Sequence, residues 1–138
     1  MSSTSVAGKA RPQIRNIHVT QILQYKLPPP GMVSILHRVS GAVLFLALPL
    51  MLWLFDLSLM SELSFARLAD IASHWFVKLV LLALVWAFLH HLIAGIRYLL
   101  LDLHLGVERA AARTSALVVF WISLPLTVLV ALKLFGVL

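Results

Sequence analysis

The sequence contains no cysteine. That excludes a disulfide framework, a thiolate-held iron–sulfur cluster within this chain and a covalently attached c-type haem. Charge is scarce as well: 12% of the 138 residues are Asp, Glu, Lys or Arg, against roughly 25% in ordinary soluble domains. Acids are the scarcest, five against eleven Lys and Arg, which leaves a formal net charge of +6. Gly-rich phosphate loops, internal repeats and a Ser/His/Asp set in recognised context are all missing, and no catalytic residue is assigned. The connections near residues 57–73 and 104–112 are short, so an extramembrane catalytic domain has no room to form.

What the chain does contain is apolar sequence: 62% of residues are hydrophobic and the mean hydropathy is +1.01. Seventeen uncharged residues run from Val39 to Phe55 and nineteen from Thr114 to Leu132; a third stretch, Leu79 to Ile96, is interrupted only by His90 and His91. Each approaches the ~20 residues that a helix needs to cross ~30 Å of hydrocarbon. The reading is an all-α integral membrane protein with transmembrane helices at about 32–56, 74–103 and 113–137, a polar segment over 1–31 and a three-helix anchor over 32–138. The first apolar segment follows too long a polar stretch, and is itself too long, to be a signal peptide, so it is expected to stay in the mature protein. Residues 57–73 alternate apolar and polar side chains and are expected to lie along the interface as a short amphipathic turn.

Orientation follows from the basic residues. Lys9, Arg11, Arg15, Lys26, Arg38, Arg97, Arg109 and Arg113 fall on one side, and Arg67, Lys78 and Lys133 on the other. This bias puts the N-terminus in the cytoplasm and the C-terminus outside. Basic flanks of this kind account for the net charge without nucleic acid; a lipid bilayer with anionic headgroups, or an acidic soluble partner, suits them better. Trp53 and Trp75 fall where the outer interface is expected.

Ionisable groups inside apolar segments are costly and mark functional sites. Ser34, His37 and Arg38 cluster at the mouth of the first segment, and His91, Gly95, Arg97 and Asp102 towards the end of the second. With the helices antiparallel, both clusters share one membrane side. His91 lies about 9 Å deeper than Arg97 at 1.5 Å per residue. His91, Gly95, Tyr98 and Asp102 follow spacings of 4, 3 and 4 and share one face. A histidine with glycine one turn away suits a flat macrocycle, and equally a plain interhelical hydrogen bond. His90 points about 100° away from His91 and reads as a packing residue; His18, His74 and His104 read as solvated. Ser34 and Arg38 can donate hydrogen bonds to a carbonyl or carboxylate oxygen, or simply cap the helix and snorkel to headgroups. Pro49 and Pro125 are candidates for kinks, and Gly41 for a close helix contact.

The string Ser34-Ile35-Leu36-His37-Arg38-Val39-Ser40-Gly41, preceded by Arg11-Pro12 and Pro28-Pro29-Pro30, and then His91-Leu92-Ile93-Ala94-Gly95-Ile96-Arg97 followed by Asp102, resembles the cytochrome b membrane-anchor subunits of succinate dehydrogenase. The resemblance covers most of the chain. It implies one half of a heterodimeric helical anchor in a bacterial cytoplasmic (inner) membrane. The expected partners are a second membrane-anchor subunit, an iron–sulfur subunit and a flavoprotein subunit, the latter two carrying the iron–sulfur clusters and FAD. Haem b would be shared between the anchors, and ubiquinone would accept the electrons of succinate oxidation, linking the tricarboxylic acid cycle to electron transport.

On this resemblance His91 is the axial ligand of the haem iron, the second axial histidine coming from the partner anchor, with His37 as a competing second donor. Ser34 and Arg38 match quinone-site residues. His37 and Arg38 match positions near the haem propionates, with Arg97 and Tyr98 in the surrounding network. Tyr98 is a departure, since many relatives carry His there. Two alternatives stay open on the residues alone: an anchor of a fumarate reductase-type complex, and a non-redox helical transporter or structural anchor.

Overall fold

The computed structural model describes residues 27–137; His18 and most of the expected polar segment 1–31 lie outside the described residues. The described residues form four α-helices, α1 (Pro29–Met60), α2 (Glu62–Ser73), α3 (Trp75–Asp102) and α4 (Arg109–Leu134). Of these, α1, α3 and α4 are long and apolar enough to cross a membrane. They match the three expected spans, with shifted ends.

The shifts have local causes. Pro28 stands at the N-cap of α1 and the next two prolines open the helix, where a missing N–H costs nothing and a fixed φ is already helical. Hence α1 starts at Pro29 rather than near residue 32. It runs past Asp56 because a polar residue near an interface does not stop a helix. The stop comes at Ser61, which is extended at φ −165° and ψ 160° and serves as N-cap of α2. Ser61 Oγ accepts from the Ser64 amide at 3.1 Å, and Ser64 Oγ accepts from the Ser61 amide at 3.1 Å. This reciprocal cap satisfies two amides that the first turn leaves unpaired, so the expected amphipathic turn becomes a 12-residue helix.

His74 alone separates α2 from α3, and its ring accepts weakly from the Phe76 amide at 3.4 Å. The reversal into α4 uses two left-handed residues, His104 (φ 61°) and Gly106 (φ 73°). Pro49 and Pro125 sit inside continuous helices.

The long helices alternate in direction, with α3 packed on both α1 and α4. Their contacts are built from small residues: Ser40 from α1, Ala87 and Ala94 from α3, and Ala116 and Ser123 from α4 are all buried. Lipid tails are as apolar as leucine, so close backbone approach replaces hydrophobic exclusion as the packing device. The outer surface carries Phe45, Leu46, Phe55, Leu99 and Trp121, each at least 63% exposed. That is the reverse of a water-soluble bundle.

Candidate functional site

Where α1 meets α3, His37, Ser40 and Gly41 face His91, Gly95 and Tyr98. Each triplet follows the three- and four-residue spacing that lines up one side of a helix. The His91 ring lies directly over Gly41: a Cβ at position 41 would stand 2.7 Å from His91 Cε1 and 3.2 Å from Nδ1. Glycine is what admits the imidazole, so the expected close contact at Gly41 is a contact with His91 itself.

His91 Nδ1 is 3.0 Å from the backbone carbonyl oxygen of His37 and 3.3 Å from Ser40 Oγ. Ser40 Oγ in turn donates to that carbonyl at 3.0 Å. A carbonyl can only accept, so Nδ1 carries the proton and donates it, which leaves the lone pair on Nε2. Ligating histidines are held this way, one ring nitrogen tied to a carbonyl and the other directed at the metal.

His37 stacks on His91 with ring centroids 4.1 Å apart and planes 6° from parallel. Its Nε2 lies 3.6 Å from where a Gly95 Cβ would be. The space that the sequence suggests beside Gly95 is therefore occupied by the His37 imidazole. Stacked on His91, His37 would have to leave this position to serve as the competing second donor.

Tyr98 tilts against His37, with centroids 5.1 Å apart. Its hydroxyl is buried and has no hydrogen-bond partner among the described residues. Ser34 is half-buried and Arg38 exposed, one turn apart on α1. Because α1 begins at Pro29 and is capped by Pro28, Ser34 is not a helix cap.

Arg97 also reaches α4. It is 7% exposed; Nε donates to Ser115 Oγ at 3.0 Å and Nη2 to the Ala112 carbonyl at 3.0 Å. Six residues place it about 120° around α3 from His91, and its hydrogen bonds tie α3 to α4. Its hydrogen bonds lie on the α4 side, off the His37–His91 face, while its guanidinium carbon stands 5.3 Å from the centre of the Tyr98 ring. His90 shares the Arg97 side of α3. It is fully buried, with its ring 5.4 Å from Trp86 and 5.5 Å from Phe120. Neither of its nitrogens, nor Trp86 Nε1, nor Ser123 Oγ, finds a partner among the described residues. Seven-residue spacing from Arg97 was the signal that His90 belongs to this interior seam.

The sequence model of the succinate dehydrogenase/fumarate reductase transmembrane subunit family matches residues 12–130. The chain belongs to this family. Relatives include proteins named succinate dehydrogenase cytochrome b556 subunit from Coxiella burnetii, 39% identical over 104 residues (74% of this chain, 82% of the relative), and from Paracoccus denitrificans, 30% identical over 111 residues (80% and 85%). A third of that name, from Rickettsia felis, is 33% identical over 105 residues (76% and 82%). As a member of the succinate dehydrogenase/fumarate reductase transmembrane subunits, the chain is a multi-pass membrane subunit of an enzyme complex.

A haem is the group this family's cytochromes imply, and the residues present fit it. Among the described residues no three His, Cys, Asp or Glu side chains converge. One imidazole with a free Nε2 is too little for a bare ion, but it suits an iron that arrives with four ring nitrogens. The unpartnered Tyr98 hydroxyl beside His37 offers a donor at the same seam.

Proposed function

We propose that the chain is the cytochrome b anchor of a succinate:quinone oxidoreductase, holding haem b with a second anchor subunit and forming part of the ubiquinone-reduction site. The observation that carries this reading is the His91 imidazole, pinned at Nδ1 by the His37 carbonyl at 3.0 Å with Nε2 left to ligate. The names of the relatives support the succinate-oxidising direction over the fumarate-reducing one. Oxidation of succinate belongs to FAD in the flavoprotein subunit, and iron–sulfur clusters carry the electrons to the membrane.

Haem b, when bound, supplies a one-electron redox centre. The chain's own residues do the rest. His91 holds the iron and is itself held by α1 through Gly41, Ser40 and the His37 carbonyl. His37, Arg38 and Tyr98 supply donors for the propionates. At the Pro29 end of the bundle, Ser34 and Arg38 steady the quinone carbonyl oxygens as negative charge develops, by preorganised donors rather than mobile water. The basic flanks support a cytoplasmic location for that end, with protons drawn from the cytoplasm.

The test is a pair of variants in the assembled complex. Ser34→Ala and Arg38→Leu are expected to lower succinate:ubiquinone reductase activity while leaving succinate oxidation with an artificial acceptor intact. Parallel loss of both activities would instead mean failed assembly and would remove the support for a quinone role.

A further inference from the structure

Among the described residues Arg97 is a cation that bonds to no carboxylate. Only 7% of it is exposed, yet its hydrogen bonds go to an uncharged hydroxyl and an uncharged carbonyl. The five acids of the sequence are Asp56, Glu62, Asp70, Asp102 and Glu108, and residues 1–26 contain none. Asp102 and Glu108, the two at the same end of the bundle, are both exposed and neither bonds Arg97. Ionisable groups inside a membrane are costly and pair with one another or with backbone carbonyls; Arg97 has the Ala112 carbonyl and, at 5.3 Å, the Tyr98 ring, and an anion would add the formal countercharge.

The surroundings describe that anion. Arg97 lines a groove of about 560 Å³ between α3 and α4, where Ile93, Leu100, Val118 and Ile122 supply apolar walls and Thr114 and Ser115 the polar margin. The volume is that of a small-molecule site, ~300–1,000 Å³. Arg97 stands five residues from the end of α3, hence about 7–8 Å from the helix terminus. It also lies against the first turn of α4, through the Ala112 carbonyl, where the helix dipole adds further positive potential. Cationic at the interface end and greasy along the bilayer, the groove has the polarity of a lipid.

We propose that this groove binds an anionic phospholipid, one acyl chain lying along α3 and α4 and the headgroup phosphate neutralising Arg97. A net negative charge is required, because a zwitterionic headgroup brings its own cation and leaves the guanidinium uncompensated. The Pro28–Pro30 and Arg109–Arg113 surface is a separate cavity and is not part of the site. The groove lies on the side of α3 turned away from His91, although the Arg97 guanidinium also stands 5.3 Å from the Tyr98 ring centre, so lipid retention and haem are read separately.

The experiment uses the purified complex with all its subunits, delipidated in detergent and exposed to phosphatidylglycerol or phosphatidylcholine of matched acyl chains, with retained lipid counted by native mass spectrometry. The wild type should retain phosphatidylglycerol at least fivefold over phosphatidylcholine. Arg97→Gln should abolish that preference, and Val118→Trp, which fills the groove while sparing the Arg97 hydrogen bonds, should lower phosphatidylglycerol retention to the same level. Equal retention of the two lipids by the wild type, or unchanged retention in Val118→Trp, overturns the proposal. Loss of a partner subunit from Arg97→Gln with unchanged lipid in the Val118 variant would assign the countercharge to a partner carboxylate and likewise overturn it. The optical haem spectrum, recorded on the same samples, reports separately on the His91 reading.

Discussion

Replacing Gly41 with alanine isolates the contact that holds His91 in place. The added Cβ would sit 2.7 Å from Cε1 and 3.2 Å from Nδ1, whereas carbon atoms rest at ~3.5–4.0 Å. The ring has to retreat by about 1 Å. His37 stacks against it at 4.1 Å, so both rings move together or α1 and α3 separate. Overpacking of this kind costs about 1–3 kcal/mol. A 1 Å retreat also stretches the 3.0 Å bond from Nδ1 to the His37 carbonyl beyond useful hydrogen-bond range, and with it the restraint on the tautomer. The expected outcome for the assembled complex is lower thermal stability, together with reduced haem occupancy or a shifted haem midpoint potential. Gly31→Ala is the control, because a Cβ there meets nothing nearer than 3.7 Å and alanine is the better helix former. If Gly41→Ala matches Gly31→Ala in stability, haem content and potential, the steric account of His91 placement is wrong.

Other changes probe neighbouring contacts. Ser40→Ala removes the 3.3 Å neighbour of Nδ1 but keeps the carbonyl, so haem content should hold and stability fall by no more than about 1 kcal/mol; loss of haem would make the hydroxyl, not the carbonyl, the decisive partner. His37→Ala should leave a low-spin haem spectrum, since the proposed axial donor of this chain is His91, and disappearance of that spectrum would contradict the ligand assignment. Ser115→Ala breaks the interhelical bond to Arg97 Nε and should cost about 0.6–1.7 kcal/mol in unfolding measurements in bicelles. Ala94→Leu, at a position with no exposed surface in the core with Val33, Ala116 and Val119, should destabilise the bundle by about 1–3 kcal/mol, more than any substitution on the Phe45–Leu46 surface.

The three spans were legible because an uninterrupted apolar run is a length measurement, and length is what the bilayer selects. Their ends were less so. Pro29 and Pro30 look like breakers but suit a first turn, and the reciprocal Ser61–Ser64 cap converts an amphipathic stretch into helix α2. At the site, spacing placed His91, Gly95 and Tyr98 on one face, and the structure puts them together against α1. Spacing could not reveal that Gly41 serves His91 while Gly95 faces His37, because that crossing depends on the register between two helices. Nor could it reveal which carbonyl fixes the His91 tautomer. The 120° offset of Arg97 from His91 accounts for its bonds to α4, and its adjacency to Tyr98 for the 5.3 Å approach of the guanidinium to that ring.

The measurement that bears most directly on the account is a high-resolution density map of the assembled complex around position 91. The account predicts His91 Nε2 bonded to haem iron, with Nδ1 still on the His37 carbonyl and the ring resting on Gly41. A fully assembled complex in which His91 is ordered and touches no porphyrin, or in which Nδ1 faces the iron, would contradict it.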